Sequence, residues 1–248
     1  MTITTKQKLT VGYITQNDSD WLILSLESIE HIADEIVIID GGSDQSHVDR
    51  LNKFIDGKDK YKWVYNKYPG NNGLQYSQIL KYATGDWILI LDSDEVVNDN
   101  AHMLLEYLTK DKDAYAIKMN HCINDLAHID STYAGTPKMD PTYQHYSPLR
   151  LFRNNGKITF TPVEHSSLIG ITQETCGLID DVTIWHYGKA KAMMDLKHKY
   201  EMNIQRSTIH SKEFLSWWYN ANLTGSYPVK LTNAKDHPSV VRREFYIG

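Results

Sequence analysis

The sequence predicts an α/β fold, a mostly parallel sheet covered by helices on both faces. Three observations predict it. Short apolar runs, above all "EIVIID" at 35–40 and "WILIL" at 87–91, read as strands buried on both sides. Segments with apolar residues at helical spacing separate them. Polar clusters follow three of the strands, at the carboxyl ends where such sheets bind ligands. The chain of 248 residues is long enough for one such domain with appendages.

The elements follow in order. Leu9–Thr15 is the first strand, and Leu22, Leu26, Ile29 and Ala33 mark the buried face of a helix. Glu35–Asp40 is the second strand, "GGSD" a loop, and Val48, Leu51, Phe54 and Ile55 a second helix. Lys62–Tyr65 is the third strand, and "PGNNG" opens a helix that runs through Ala83. "WILIL" is the fourth strand; Ala101, Leu104, Leu105 and Leu108 mark another helix, and Ala114–Met119 a fifth strand. Residues 120–147 read as loop. "PLRLFRNNGKITF" (148–160) reads as a β-hairpin around Asn155-Gly156, and "VTIWHYG" (182–188) as a strand. Residues 189–207 and 212–221 have a helical pattern, and the stretch holding Pro228 and Pro238 reads as a tail packed back on the domain.

Composition narrows the classes. Hydrophobic residues at 41% and charged residues at 23% describe a globular chain. A net charge of −5 does not favour nucleic acid or an anionic membrane as a partner. Cys122 and Cys176 fit no metal or redox spacing and are expected as reduced thiols. "MTITTKQKLT" is polar and no apolar run reaches bilayer length, so a cytoplasmic protein is expected, with peripheral docking at a membrane left open.

The chemistry is expected at "WILILDSDEVV" (87–97), where a buried strand runs into three acids. On an extended backbone Asp92 and Asp94 share a side, while Ser93 and Glu95 face away. Two carboxylates so placed cannot both ionise cheaply without a cation. Mg²⁺ or Mn²⁺ takes oxygen ligands and completes its shell with substrate phosphates, so a metal–diphosphate site is expected. The alternative is an acidic start to a following helix, with Asp94 and Glu95 in its first turn.

"VGYITQNDSDWLILSLESIEHIADEIVIIDGGSDQS" followed by "ATGDWILILDSDEVV" resembles the N-terminal half of glycosyltransferase family 2, whose fold is GT-A. The likeness is greatest to the soluble branch of lipopolysaccharide-core β-glucosyltransferases. It runs from Leu9 to Val97 and continues through "RLFRNNGKITFTPVEH" and "IWHYG" to Gly188. It implies a GT-A domain over residues 1–188, with a nucleotide-sugar half (1–119) and an acceptor half (120–188), followed by a helical extension (189–248). The segment from His121 to Ser147 is expected to shape the acceptor side.

The resemblance also implies roles. Thr15, Asn17, Asp40 and Ser43 would hold the nucleotide, Asp40 at the base or ribose. Gln75 matches a helix start that closes on the donor, but Tyr76 and Ser77 depart from that pattern. Its arginine is missing, with Lys67 or Asn71 as substitutes. Asp92 and Asp94 match the D-x-D metal motif, Ser93 counts with the donor-binding residues, and His186 matches a metal-completing histidine. Where the branch has V-H-E this chain has Val163-Glu164-His165. Glu164 is the expected base and His165 the reserve, since neighbours on a strand face opposite ways. Arg150 and Arg153 would bind diphosphate or acceptor, or pair with Glu164.

The implied function is an inverting glycosyltransferase using Mn²⁺ or Mg²⁺, with a UDP-sugar as the expected nucleotide-diphosphate donor and a hydroxyl acceptor of open identity. Two other readings remain. A sugar-nucleotide nucleotidyltransferase would need a Gly-rich phosphate loop where "TQNDSDW" stands. A nucleotide-sugar-binding protein without transfer activity would suit the missing arginine and the exchanged Glu164-His165 pair.

Overall fold

A computed structural model of the chain describes residues 6–130, 148–163, 166–190 and 229–245, with isolated helical positions between 201 and 220. Glu164 and His165 lie outside the described residues, as do 131–147 of the expected acceptor segment and most of the two expected helices at 189–207 and 212–221.

The first half alternates strand and helix. β1 (Leu9–Thr15), α1 (Ser19–Ile29), β2 (Glu35–Asp40), α2 (Gln45–Ile55), β3 (Tyr61–Tyr65), α3 (Asn72–Tyr82) and β4 (Trp87–Asp92) follow one another. The four strands are parallel in the order β3-β2-β1-β4. Alternate residues of each strand serve opposite faces. Ile36, Ile38, Trp87, Leu89 and Leu91 pack with Leu22, Leu26 and Ile29 of α1 and Leu51 of α2. Val37, Ile39, Ile88 and Ile90 pack with Tyr76 and Ile79 of α3 on the other side. This division explains why β2 and β4 are apolar throughout. It also places a topological switch between β1 and β4, because α1 and α2 cover one face and α3 the other. The crevice beyond the carboxyl ends of β1 and β4 is where such a sheet takes a ligand.

The second half departs from the expected pattern. β4 ends at Asp92, residues 93–94 form a turn, and the chain resumes as β5 (Glu95–Val97). No helix begins at Asp94; the expected helix is a 3₁₀ turn at Ala101–Met103 and α4 (Leu104–Tyr107). β6 (Ala114–Ile123) extends beyond Met119 and leads to β7 (His128–Asp130), so residues 120–130 are sheet as well as loop.

β8 (Leu149–Arg153) and β9 (Thr159–Phe160) do not form the expected hairpin. β8 inserts antiparallel between β4 and β6, whereas β9 pairs with β10 (Leu168–Ile169). The Asn155-Gly156 turn does form: Asn155 Oδ1 accepts from the Lys157 amide at 2.9 Å and Gly156 has φ +72°. It redirects the chain out of the sheet rather than folding it back. The Arg153 and Asn154 amides are already taken by the Asp113 and Asp86 carbonyls, each at 2.8 Å.

β11 (Cys176–Lys189) is the long strand of this half. It runs parallel to β6, with an irregularity between Ile179 and Thr183, and its end pairs antiparallel with β5. β12 (Val229–Leu231) pairs with β7, and α5 (Ser239–Phe245) packs on α1, where the rings of Phe245 and Trp21 stack at 5.3 Å. No helix among the described residues is long and apolar enough to cross a membrane.

Candidate active site

Two loops at the carboxyl edge are laced together. Thr15 and Asp40 end neighbouring strands in register, and the Gly41 amide donates to the Thr15 carbonyl at 2.8 Å. The buried Asp40 carboxylate accepts from the Ser43 amide at 3.0 Å and the Ser43 hydroxyl at 2.6 Å. Asn17 sits at φ 56°, a left-handed conformation that Asn tolerates. From there its amide donates to Ser43 Oγ at 2.9 Å, and its Oδ1 accepts from the Asp44 amide at 2.7 Å. Asn17, Asp40 and Ser43 therefore hold one another's loops in place.

The end of β4 carries an ion cluster rather than an extended carboxylate pair. Asp92 lies on the α3 side of the sheet, in phase with Ile88 and Ile90. Tyr76 of α3 donates its hydroxyl to Asp92 Oδ1. Arg150 Nη2 stands 3.2 Å from Asp92 Oδ2 and also pairs closely with Glu95 Oε1. Glu95 Oε2 in turn accepts from the Asp92 amide at 3.0 Å. Burial pushes the Glu95 carboxyl up to about 8; Arg150 opposes that shift, and the Asp92 charge adds to it. Burial disfavours the Arg150 charge, but Glu95 and Asp92 more than offset this and raise its pKa. Burial first, and then the Asp92 charge, hold the Tyr76 hydroxyl well above its usual range. Glu95, expected to face away from Asp92 near a helix start, is 1% exposed and shares Arg150 with Asp92. Arg150, expected on a diphosphate or an acceptor, supplies the internal countercharge for two acids.

Beyond the turn, Asp94 meets a different partner. The antiparallel ladder pairs Glu95 with His186, and the Tyr187 amide donates to the Asp94 carbonyl at 2.8 Å. This register brings His186 Nε2 to 3.3 Å from Asp94 Oδ1. His186 Nδ1 stands 2.8 Å from Nδ1 of His121, its neighbour in register on β6. Asp94 and His186 offer one carboxylate oxygen and one imidazole nitrogen, a donor pair suited to a divalent ion that also takes phosphate oxygens. Among the described residues no three His, Cys, Asp or Glu side chains are gathered to hold a metal unaided. Asp92, expected with Asp94 at the cation, is paired with Arg150 and Tyr76, while Asp94 meets His186.

The other expected residues divide. Ser93 donates to Asp18 Oδ2 at 2.9 Å and so ties the β4 turn to the β1–α1 loop. Gln75 is buried, exchanging hydrogen bonds with the Asn66 side chain at 2.8 Å and the Asn66 carbonyl at 2.9 Å; it fixes the end of β3. Asn71 caps α3, accepting from the Leu74 amide at 3.1 Å, and Lys67 is exposed. Arg153 is not brought to this edge. It pairs in register with Trp87, at the opposite end of β4 and about 16 Å from Asp92 along the strand. There it donates to the Lys112 carbonyl at 2.8 Å, with its guanidinium over the Trp87 ring. Two residues were not foreseen in these places. Tyr76 departs from the family motif and His121 opens the expected acceptor segment, and neither carries a local signal for the contacts it makes here. Arg150 carries a legible signal: it shares a strand face with the apolar Phe152, and an arginine on a buried face needs a paired acid.

Comparison with known proteins agrees with this architecture. The sequence profile described as "Glycosyl transferase family 2" matches residues 10–168. The glycosyltransferase SunS of Bacillus subtilis is 23% identical over 198 residues, 79% of this chain. The chain spans 43% of the length of that relative. Residues 1–349 of S. aureus TarS, solved with UDP-GlcNAc, superpose with a TM-score of 0.53 at 15% identity, covering 88% of this chain and 73% of that one. The mannosyltransferase PcManGT of Pyrobaculum calidifontis, solved with GDP-Man and Mn²⁺, gives 0.52 at 14% identity, covering 89% and 70%. The fold these share is GT-A, and the profile match extends through β1–β4, the Asp92–Asp94 turn and β8: the chain belongs to glycosyltransferase family 2.

Proposed function

We propose that the protein is an inverting, metal-dependent glycosyltransferase that moves a sugar from a nucleotide-diphosphate donor, a UDP-sugar first among them, to an acceptor hydroxyl. One observation carries the proposal. Asp94 and His186, remote in sequence, meet at 3.3 Å on the sheet edge where the strand order reverses. They would hold Mn²⁺ or Mg²⁺ there. When bound, the cation supplies the Lewis acid that stabilises the departing nucleoside diphosphate.

The chain's own groups would do the rest. Asp40 would accept from the ribose or base while Asn17 and Ser43 keep its loop in place, with Thr15 lining the floor. Tyr76 and Arg150 would hold Asp92 on the α3 side of the crevice. An acceptor hydroxyl attacking the anomeric carbon opposite the diphosphate must lose its proton to a base. Glu164, with His165 as the alternative, remains the proposed base. Relatives solved with UDP-GlcNAc and with GDP-Man share the fold, so the choice of UDP rests on the sequence resemblance.

The test is to offer UDP-, GDP- and dTDP-sugars with and without Mn²⁺ and to follow nucleotide release and melting temperature. Metal-dependent stabilisation by UDP with slow release of nucleotide from one UDP-sugar is expected. Stabilisation without turnover in the presence of candidate acceptors would favour a binding protein. Pyrophosphate formation from a sugar phosphate and UTP would overturn the proposal.

A further inference from the structure

His121 belongs to no motif of the chain, yet its ring is in contact with His186. The two strands β6 and β11 run parallel with His121 and His186 in register. The rings meet edge to face, at an interplanar angle of 84° and a centroid distance of 5.0 Å, with the two Nδ1 atoms 2.8 Å apart. Such a contact needs one donor and one acceptor, so one ring carries its proton on Nδ1 and the other leaves Nδ1 bare. Nε2 of His186 is turned to Asp94.

From this arrangement we infer that His121 is a positioning residue for the cation site: with a cation held by Asp94 and His186, His121 Nδ1 would accept a hydrogen bond from His186 Nδ1–H and so leave the His186 Nε2 lone pair to the cation. The inference rests on the proposed role of Asp94 and His186. A nitrogen that ligates a metal cannot carry a proton, so a neutral His186 in that role must be protonated on Nδ1. An acceptor beside Nδ1 favours that tautomer further, and His121 Nδ1 is placed there. Ligating histidines are commonly oriented in this way by a partner on the second ring nitrogen. Here the partner is another imidazole, which must itself be neutral and protonated on Nε2. Parallel strand pairing sets the geometry, because equivalent register positions project side chains to the same face. The contact also fixes the His186 ring about its Cβ–Cγ bond, which sets the direction of Nε2.

Two measurements test this. The first is Mn²⁺ affinity in the presence of UDP, read by electron paramagnetic resonance, for the native protein and the variants His186→Ala, His121→Phe and His121→Asn. Asn offers Oδ1 where His121 offers Nδ1, so it preserves an acceptor, whereas Phe preserves only ring bulk. His121→Phe is expected to weaken Mn²⁺ binding about 10- to 100-fold, and His121→Asn to recover most of that loss. Native affinity in His121→Phe, or equal losses in Phe and Asn, would overturn the inference. If instead His186→Ala binds Mn²⁺–UDP as tightly as the native protein, the proposed cation site itself fails. The second measurement needs no variant. With Mg²⁺ and UDP bound, ¹⁵N spectra of the native histidines should show His186 protonated on Nδ1 and His121 on Nε2. The opposite pair of tautomers would overturn the inference.

Discussion

Asp92, Glu95 and Arg150 place two acids and one guanidinium together at the end of β4, with Glu95 buried, Arg150 largely buried and the Asp92 side chain 32% exposed, and Tyr76 supplies a further hydrogen bond to Asp92. Removing the guanidinium would leave the buried Glu95 and the partly exposed Asp92 without their shared partner. Arg150→Met should therefore cost about 3–5 kcal/mol in urea denaturation, the range for breaking a buried pair. A cost under about 1 kcal/mol would show that the cluster is wetter than its burial implies. Glu95 gives a pH signature. Its carboxyl is raised to about 8 in the folded protein, against a usual value of 4.5. Between those values the folded state holds a proton that the unfolded state has lost, so stability falls as pH rises. The Glu95 contribution is complete below about pH 4.5 and gone above about pH 8. Glu95→Gln should fold and should flatten this part of the decline; an unchanged pH–stability curve would mean that Glu95 is ionised throughout. A charge pattern can indicate that acids crowd one spot, as "DSDE" does. It does not say which acid takes a cation and which takes an arginine. That depends on the turn at 93–94, after which Asp92 meets Arg150 and Tyr76 and Asp94 meets His186.

α3 owes its position to a missing side chain. Gly12 of β1 faces α3, and a Cβ there would lie 2.5 Å from Ile79 Cγ2 and 3.0 Å from Ile90 Cδ1. Gly12→Ala should cost about 1–3 kcal/mol by overpacking. Ile79→Ala alone should cost about 2–5 kcal/mol by leaving a cavity. The double variant should lose clearly less than the sum, because the new methyl enters the space that Ile79 vacates. Strict additivity in a denaturation cycle would contradict this packing. The helix matters for the site because it carries Tyr76 to Asp92. Elements of this half were legible because a strand buried on both faces has no room for polar residues, so β1 and β2 are found with the bounds their apolar runs suggest. β8 was legible as a strand but not in its pairing. Asn155-Gly156 encodes a turn, whereas the choice between β9 and the β4–β6 gap depends on which sheet edge is vacant, a property of distant segments.

At the scale of the molecule, the proposed site joins two differently built halves. The parallel half supplies Thr15, Asn17, Asp40 and Asp92 at strand ends. The other half brings His186 and His121 on β11 and β6 and seals the junction by pairing β11 with β5. The C-terminal segment closes the far side, with Tyr187 and His237 bonded at 2.8 Å and Val241 buried beside them. Local patterns exposed the first half and its three polar loops. The meeting of Asp94 with His186 came only from family resemblance, since no local signal relates the two residues. The most direct measurement of the central claim is calorimetric titration of UDP with and without Mn²⁺, on the native protein and on Asp94→Ala. Binding tightened at least about tenfold by Mn²⁺ in the native protein, a coupling of about 1.4 kcal/mol, is expected, with that gain lost in the variant. Equal Mn²⁺ enhancement in both proteins would contradict the account.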